Sequence, residues 1–323
     1  MILPRIGLGC MSLSHAYGVP PSDADGLALL CAALDAGVGM LDTATLYGGG
    51  RNEELVGRAV AGRRDEVLLA SKGGMALVDG VRTIDGRPDT LRTQVDESLR
   101  RLGVDRIDLY YLHRWDRSVP IGESVGALAE LVDDGRIGAI GLSEVSVARL
   151  REAQRTAPIA AVQNEYSLWS RNPELGMLDA TRESGVAFVA FSPVARGFLS
   201  RGVSDPAHLA SNDIRRSMPR FQPEHWPINA ALLPDWHALA DEAGCTPAQL
   251  ALAWVLSRGE HVVAIPGTTD PTHLREDLAA VDVEVPPEIL RRAGRLIGTD
   301  TVSGPRYAPG PAADVDTETF EAA

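Results

Sequence analysis

Residues 38–60 read VGMLDTATLYGGGRNEELVGRAV, an apolar segment followed by a loop and an amphipathic segment. Residues 38–44 form a near-continuous apolar run, which is typical of a strand buried on both faces. Residues 52–61 carry a helical pattern that ends before Gly62, and a glycine there commonly terminates a helix. The stretch therefore predicts one β/α unit, with Asp42 near the end of the strand and Tyr47 in the loop.

The same unit recurs along the chain. Further strands are expected at residues 5–11, 66–72, 107–113, 137–143, 159–165, 186–192 and 261–267. Further helices are expected at residues 23–36, 88–102, 123–134, 146–155, 173–184, 246–257 and 271–280. Eight strands alternating with eight helices predict an α/β fold of the closed (β/α)8 TIM barrel type, because an open doubly wound sheet usually has fewer units.

Two segments fall outside this repeat. Residues 197–244 form a long insertion after the seventh strand, with a helix expected near residues 228–243, and such insertions are usually functional loops. Residues 1–300 are expected to form a single barrel domain. Residues 301–323 are rich in Pro, Ala, Gly and acidic residues, and they are expected to form a loosely held C-terminal tail.

Composition limits the partners of the chain. Its 323 residues carry a formal net charge of -13, which disfavours binding to nucleic acid or anionic lipid. Three cysteines without metal-ligand spacing, no signal-peptide pattern and no long apolar run together predict a cytoplasmic protein. No metal is expected, because His113 and Asp116 lack a third ligand nearby.

Four side chains that suit proton transfer fall at or just beyond the ends of consecutive predicted strands: Asp42, Tyr47, Lys72 and His113. Active sites of such barrels lie at these ends. A tyrosine is a weak acid, and a neighbouring lysine lowers its pKa by favouring the phenolate. An aspartate would orient that lysine, and a histidine can hydrogen-bond a carbonyl oxygen. Each residue alone has a structural explanation, but their joint placement predicts proton donation to an oxygen.

These motifs resemble the aldo-keto reductase superfamily. The resemblance lies in GLGCM, LDTATLYGGGRNEELVGRAV, LLASKGG, LYYLHR, GLSEVS, VQNEYSLWSR, FSPVARGFL, RFQPEHW and AIPGTTDPTHLRED, and it extends to about Asp277. The HRWD segment resembles the branch with bacterial and fungal pyridoxal and aryl-aldehyde reductases. The resemblance implies an enzyme that reduces an aldehyde or ketone to an alcohol with NADPH. It implies Tyr47 as general acid, Lys72 and Asp42 as tuning groups, and His113 as the residue that orients the carbonyl.

The resemblance also implies a set of cofactor-binding residues. Those expected around the nicotinamide are Ser143, Gln163 and Phe191, and Gly9 and Met11 are also expected to bind the cofactor. Those expected around the pyrophosphate are Ser192, Val194, Gly197 and Arg201. Those expected around the adenosine 2′-phosphate and adenine are Gly267, Thr268, Thr269, His273, Glu276 and Asp277. His273, Asp277 and also Glu144 depart from the commoner Arg, Asn and Asn of the superfamily, so NADPH is favoured with NADH as an alternative.

The sequence gives fewer signals for the substrate pocket than for the cofactor site, although a small carbonyl compound is the expected partner. Tyr17, Trp115 and Trp169 are expected on loops at the barrel mouth, where they would either form an aromatic wall or pack beneath a loop. Two other functions remain open. One is a non-catalytic NADP-binding regulatory barrel resembling the potassium-channel β-subunit, and the other is a barrel enzyme that forms a Schiff base on Lys72. The physiological substrate and the oligomeric state stay open.

Overall fold

The computed structural model describes residues 2–203 and 205–320, and eight of its strands form one parallel sheet. The strands in chain order are β1 (Leu8–Gly9), β2 (Met40–Asp42), β3 (Leu68–Gly73), β4 (Met75–Val78), β5 (Val81–Ile84), β6 (Leu109–Leu112), β7 (Ile140–Ser143), β8 (Ala161–Glu165), β9 (Ala187–Phe191) and β10 (Val262–Ile265). The sheet runs β1-β2-β3-β6-β7-β8-β9-β10, and a parallel bridge from Ile6 to Ala264 joins its two edges. The (β/α)8 barrel predicted from the sequence is confirmed.

Helices follow the strands on the outside of the barrel, and further helices lie in the insertion after β9 and in the C-terminal segment. They are α1 (Asp23–Asp35), α2 (Arg51–Val60), α3 (Pro88–Leu102), α4 (Ile121–Asp133), α5 (Val147–Ala153), α6 (Met177–Ser184), α7 (Trp226–Ala230), α8 (Leu233–Ala243), α9 (Pro247–Leu256), α10 (Pro271–Ala279), α11 (Pro287–Leu296) and α12 (Pro309–Ala313). Local sequence sets their ends. In α9 the Thr246 side chain accepts from the Gln249 N–H in a capping box, and α3 ends at Gly103, whose φ is 66°.

Apolar side chains pack on both faces of the sheet. Inside the barrel, Met40, Leu109, Tyr111 and Val189 belong to one buried cluster, whereas a larger cluster lies between the strands and the helices. Burial on both faces explains why the strands read as continuous apolar runs. Because the strands are parallel, their carboxyl ends lie on one side of the molecule, where polar side chains converge.

The structure adds elements that the sequence pattern did not predict. Strands β4 and β5 form an antiparallel hairpin beside the barrel mouth, joined by Asp79 and Gly80. Helix α11 follows the eighth β/α unit, and the insertion of residues 197–244 holds two helices, α7 and α8, where one was expected. No helix in the described ranges is long and apolar enough to cross a membrane.

The C-terminal segment packs against the barrel mouth. Asp316 accepts a hydrogen bond from the Ser146 hydroxyl at 2.8 Å, and Glu318 accepts one from the Val147 N–H at 2.7 Å. Both carboxylates thus lie at the N-terminus of α5, where negative charge is favourable. The expectation of a loosely held tail is therefore corrected as far as Glu318, whereas residues 321–323 lie outside the described chain.

Candidate active site

A cavity of about 1070 Å³ opens at the carboxyl ends of the barrel strands. Three of the four predicted catalytic residues, Asp42, Tyr47 and His113, line it. So does every residue predicted to bind the cofactor: Gly9, Met11, Ser143, Gln163, Phe191, Ser192, Val194, Gly197, Arg201, Gly267, Thr268, Thr269, His273, Glu276 and Asp277. The residues chosen from separate stretches of sequence therefore share one space.

Lys72 lies beneath the cavity floor and joins two of its lining residues. Its Nζ atom donates to the Tyr47 hydroxyl oxygen at 3.2 Å and to the Thr43 carbonyl oxygen at 3.0 Å. It also forms a buried ion pair with the Asp42 carboxylate. A buried lysine charge needs such partners, because an isolated one is expensive. The arrangement directs the charge of Lys72 at the phenol.

Two opposing effects act on the Tyr47 phenol. Burial raises its pKa, whereas the Lys72 cation lowers it, and the net result is a pKa above the usual value. The sequence-based expectation that lysine lowers this pKa holds for the lysine alone, but burial outweighs it. Tyr47 therefore carries its proton at neutral pH. Burial also opposes the charge of Lys72, but Asp42 and Tyr47 raise the pKa of the ammonium above its usual value.

His113 follows β6 and faces Tyr47. Its ring centre lies 5.9 Å from that of Tyr47 in an edge-to-face arrangement. Burial and then the Arg114 charge hold the pKa of His113 well below its usual value, so the imidazole is neutral. Its Nδ1 atom is buried and has no hydrogen-bond partner within the described part of the chain. Because His113 also lines the cavity, its imidazole can contact a group bound in the site.

The second oxygen of Asp42 is held by Gln163. The Gln163 Nε2 atom donates to Asp42 Oδ2 at 2.8 Å across the barrel interior. The sequence-based interpretation gave Gln163 a role with the nicotinamide, and the structure adds this contact with the buried pair. Asp42 is therefore fixed from two sides, by an ammonium and by an amide, which orients Lys72 towards Tyr47.

The loop after β9 has a strained backbone. Ser192, Ala195 and Arg196 have φ angles of 51°, 52° and 57°, in the left-handed region that non-glycine residues rarely adopt. Such strain costs about 1–3 kcal/mol per residue and persists only where the surroundings enforce it. Arg196 forms an ion pair with Glu165 at 2.6 Å and a hydrogen bond with Tyr307 at 3.0 Å. These contacts hold the loop against the cavity.

The far end of the cavity lies over the start of α10. Asp270 caps this helix by accepting from the Thr272 and His273 N–H groups at 2.6 and 3.4 Å. Asp277 is buried, and burial together with the nearby Glu276 raises its pKa to about 7. Glu276 itself accepts a hydrogen bond from the Thr246 hydroxyl. His273 stays exposed at the rim.

Comparison with known proteins identifies the family. The model of the aldo/keto reductase family matches residues 5–295. The chain belongs to the aldo/keto reductase family. It is therefore an NAD(P)H-dependent oxidoreductase, as the sequence predicted.

Solved structures agree with this assignment. Glycerol dehydrogenase AKR11B4 from Gluconobacter oxydans is 29% identical, with a TM-score of 0.84 over 99% of this chain and 96% of that one. Aldo-keto reductase AKR11C1 from Bacillus halodurans is 27% identical, with a TM-score of 0.75 over 93% and 94%. An aldo/keto reductase from Klebsiella pneumoniae, solved with NADP and acetate, is 28% identical, with a TM-score of 0.73 over 95% of each chain.

The substrate residues predicted for this aldo/keto reductase need correction. Of the three, only Tyr17 lines the cavity. Trp169 is buried and stacks on Phe198 at 4.4 Å between ring centres, so it packs beneath the insertion. Trp115 lies under the Arg149 guanidinium, 4.4 Å from its ring centre, and its indole N–H donates to the Val119 carbonyl. Both tryptophans therefore support loops and do not form the cavity wall.

Several residues that line the cavity of this aldo/keto reductase were not predicted from the sequence. They are His15, Met75, Leu77, Arg82, Arg114, Arg196 and Tyr307. The hairpin supplies Leu77 and Arg82, and the C-terminal segment supplies Tyr307. Arg114 had a sequence signal, because it directly follows His113 at a strand end. The others come from segments whose position over the mouth depends on contacts between distant parts of the chain.

Proposed function

We propose that this chain reduces the carbonyl group of an aldehyde or ketone to an alcohol, with NADPH as cofactor and Tyr47 as proton donor. The proposal rests mainly on the 3.2 Å contact between the Lys72 ammonium and the Tyr47 hydroxyl at the floor of the cavity. Hydride addition to carbon leaves a negative oxygen, and one proton from the phenol completes the alcohol. The protein must therefore supply an acid that becomes an anion without large cost.

The cavity fits a dinucleotide beside a substrate. Its volume of about 1070 Å³ reaches the upper limit of ordinary small-ligand pockets, which is about 1,000 Å³. Ser143, Gln163 and Phe191 would hold the nicotinamide, residues 192–201 the pyrophosphate, and residues 267–277 the adenosine end. When bound, NADPH supplies the hydride. Two solved structures of aldo/keto reductase from Klebsiella pneumoniae, each 28% identical to this chain, contain NADP and NADPH.

Each residue of the site then has a definable task. Tyr47 holds its proton at neutral pH, since a phenol is a weak acid and burial raises its pKa further. Lys72 stabilises the phenolate as the proton leaves, and Asp42 keeps Lys72 charged and in place. His113 is neutral, and its imidazole at the cavity wall suits a hydrogen bond that positions the carbonyl.

The same geometry disfavours a Schiff-base enzyme. Lys72 does not line the cavity, and Asp42, Thr43 and Tyr47 all accept hydrogen bonds from its Nζ atom. A lysine nucleophile must be neutral and must reach the substrate carbon. Here the pKa of Lys72 is raised by Asp42 and Tyr47 against the effect of burial, so the ammonium form is favoured.

Replacement of Tyr47 by phenylalanine tests the proposal. We expect Tyr47→Phe to lower turnover at least about 100-fold, because general acid catalysis contributes about 10²- to 10⁴-fold. Loss of NADPH absorbance with a panel of aldehydes, pyridoxal included, measures the rate. Tyr110→Phe is a matched control, because this buried phenol on β6 lies outside the cavity lining. Wild-type protein that binds NADPH yet reduces no member of the panel would instead favour a regulatory barrel.

Other features remain predictions. We propose one barrel domain over residues 1–300, with residues 301–323 as its C-terminal extension. A cytoplasmic location and the absence of nucleic-acid and membrane partners remain expectations from composition. The preference for NADPH over NADH also remains a prediction, because an exposed histidine, His273, stands where an arginine would contact the 2′-phosphate more strongly.

A further inference from the structure

One arginine in the cavity differs from the others in its charge partners. Each of the other four arginines that line the cavity has a carboxylate within 4 Å, in the pairs Arg82–Asp314, Arg196–Glu165, Arg201–Asp241 and Arg215–Asp213. Arg114 forms no ion pair with any carboxylate in residues 2–203 and 205–320. Its positive charge therefore faces the cavity without compensation from the part of the protein that the structure describes.

Hydrogen bonds fix Arg114 beside the reacting centre. One terminal nitrogen of its guanidinium donates to the His113 carbonyl oxygen at 2.6 Å and to the Ser143 hydroxyl at 3.2 Å. The other terminal nitrogen and Nε have no acceptor among the described residues. A guanidinium has five N–H donors in a planar fork, which suits two parallel bonds to a carboxylate or phosphate. The side chain is half-buried, so water screens its charge only in part.

The surroundings of Arg114 make this end of the cavity positive. Lys72 is neutralised by Asp42 and Arg82 by Asp314, so Arg114 contributes the uncompensated charge near His113. The neighbouring His113 is neutral and does not oppose an anion. Such a local positive charge contrasts with the net charge of -13 on the whole chain. A protein this acidic would repel an anionic ligand unless a placed cation received it.

We propose that Arg114 binds the acid group of an anionic carbonyl substrate, so that the enzyme prefers aldehydes or ketones bearing a carboxylate or phosphate. The residues suited to the phosphates of the cofactor follow β9 and β10, whereas Arg114 follows β6, and two strands separate β6 from β9 in the sheet, so those phosphates do not account for Arg114. This inference rests on the proposed reductase function. It deepens that function by naming the substrate class and one residue that selects it.

Matched substrates measure the selection. The first pair is 4-carboxybenzaldehyde and its neutral methyl ester, and the second pair is glyceraldehyde 3-phosphate and glyceraldehyde. We expect higher kcat/KM for the charged member of at least one pair, and the pair that shows it identifies the anion as carboxylate or phosphate. Arg114→Met should lower kcat/KM for that charged substrate about 10- to 100-fold, as expected for loss of a hydrogen bond to a charged group. The neutral partner should change less than about threefold.

Two further variants serve as controls. Arg114→Lys keeps the positive charge but loses the planar set of donors of the guanidinium. It should therefore retain more of the preference for the charged substrate than Arg114→Met does. Arg216→Met removes an exposed arginine outside the cavity and should leave both substrates unaffected. Equal losses on charged and neutral substrates in Arg114→Met would overturn the inference, because Arg114 would then act on the cofactor or on Tyr47. Equal wild-type kcat/KM within both pairs would overturn it as well.

A binding measurement separates this inference from the proposed function. Benzoate carries a carboxylate but no reducible carbonyl, so calorimetric titration of benzoate into protein with NADP needs no turnover. We expect binding that weakens at least tenfold in Arg114→Met and weakens with added salt. Binding without reduction of any aldehyde would contradict the reductase function while leaving the anion site in place. Equal binding of benzoate to the wild type and to Arg114→Met would refute the anion site, as would the absence of binding to both proteins. Neither result would bear on the reductase function.

Discussion

Replacement of Arg306 by methionine tests how the C-terminal segment is held. The Arg306 guanidinium donates to Glu144 Oε2 at 2.5 Å and to Glu165 Oε2 at 3.0 Å. Its side chain is 11% exposed, and those of the two glutamates are at most 1% exposed. Burial alone would raise the pKa of Glu165, but Arg196 and Arg306 hold it well below the usual value. The segment is thus anchored by a buried charge that two carboxylates share.

The expected cost of Arg306→Met follows from what each glutamate keeps. Glu165 retains its ion pair with Arg196 and its hydrogen bond from Tyr307 at 3.0 Å. Glu144 Oε1 still accepts a hydrogen bond from the Glu165 N–H, but Glu144 Oε2 loses its hydrogen bond from Arg306. Removing one partner of a buried ion pair costs about 3–5 kcal/mol, and the retained contacts place this variant near 3 kcal/mol. The length of the methionine side chain preserves part of the packing.

Equilibrium unfolding in urea measures this free energy, and a double mutant assigns it. Arg306→Met leaves the Glu144 carboxylate without its cation, and Glu144→Gln removes that negative charge. The loss in the free energy of unfolding of the double variant should therefore be smaller than the sum of the two single losses by about 0.5–3 kcal/mol. Arg295→Met, at an exposed pair on α11, is the matched control and should change stability far less. Limited proteolysis should cleave near residues 302–320 faster in Arg306→Met. An unchanged urea midpoint together with unchanged cleavage would refute the anchor.

Two further predictions concern the adenosine end of the cavity. His273→Arg should tighten NADPH more than NADH, because arginine offers a fixed charge and a bidentate fork to the 2′-phosphate; an unchanged affinity ratio in fluorescence titrations would place residue 273 away from that phosphate. Asp277→Asn should stabilise the cofactor-free protein, and the gain in the free energy of unfolding should grow with pH. The growth should begin at about pH 4, the usual pKa of a carboxyl group, and should level off near pH 7, the raised pKa of Asp277. The sign follows because the folded state disfavours the ionised form of Asp277, and a gain independent of pH in thermal unfolding would contradict it.

The barrel could be predicted because its signal is local and repeated. Each buried parallel strand shows as a short apolar run, and each helix carries its own end signals, such as Pro88 and Gly103 around α3. The β4–β5 hairpin was equally local, yet it was missed. Its turn, Asp79-Gly80, has φ angles of 51° and 77°, and Asp-Gly between apolar runs is a strong hairpin signal. Attention to that dipeptide would have predicted the hairpin.

The C-terminal anchor has no comparable local signal. Arg306 meets Glu165 across 141 positions of sequence and Glu144 across 162. Composition alone favoured disorder for the tail, since Pro, Ala, Gly and acidic residues bury little apolar surface. Order there comes from charge pairing and from two carboxylates at the start of α5, which depend on the folded barrel. Periodicity and end signals carry no information on such pairings.

The proposed catalytic residues show the same limit for the protonation of a single group. Sequence position sufficed to bring Asp42, Tyr47 and Lys72 together, because barrel topology places successive strand ends side by side. It did not suffice for the pKa of Tyr47, which depends on burial as well as on charge. A lysine alone would favour the phenolate, which accepts a proton. Burial outweighs the lysine and raises the pKa of the phenol further, and a protonated phenol is the form that the proposed reduction of a carbonyl requires.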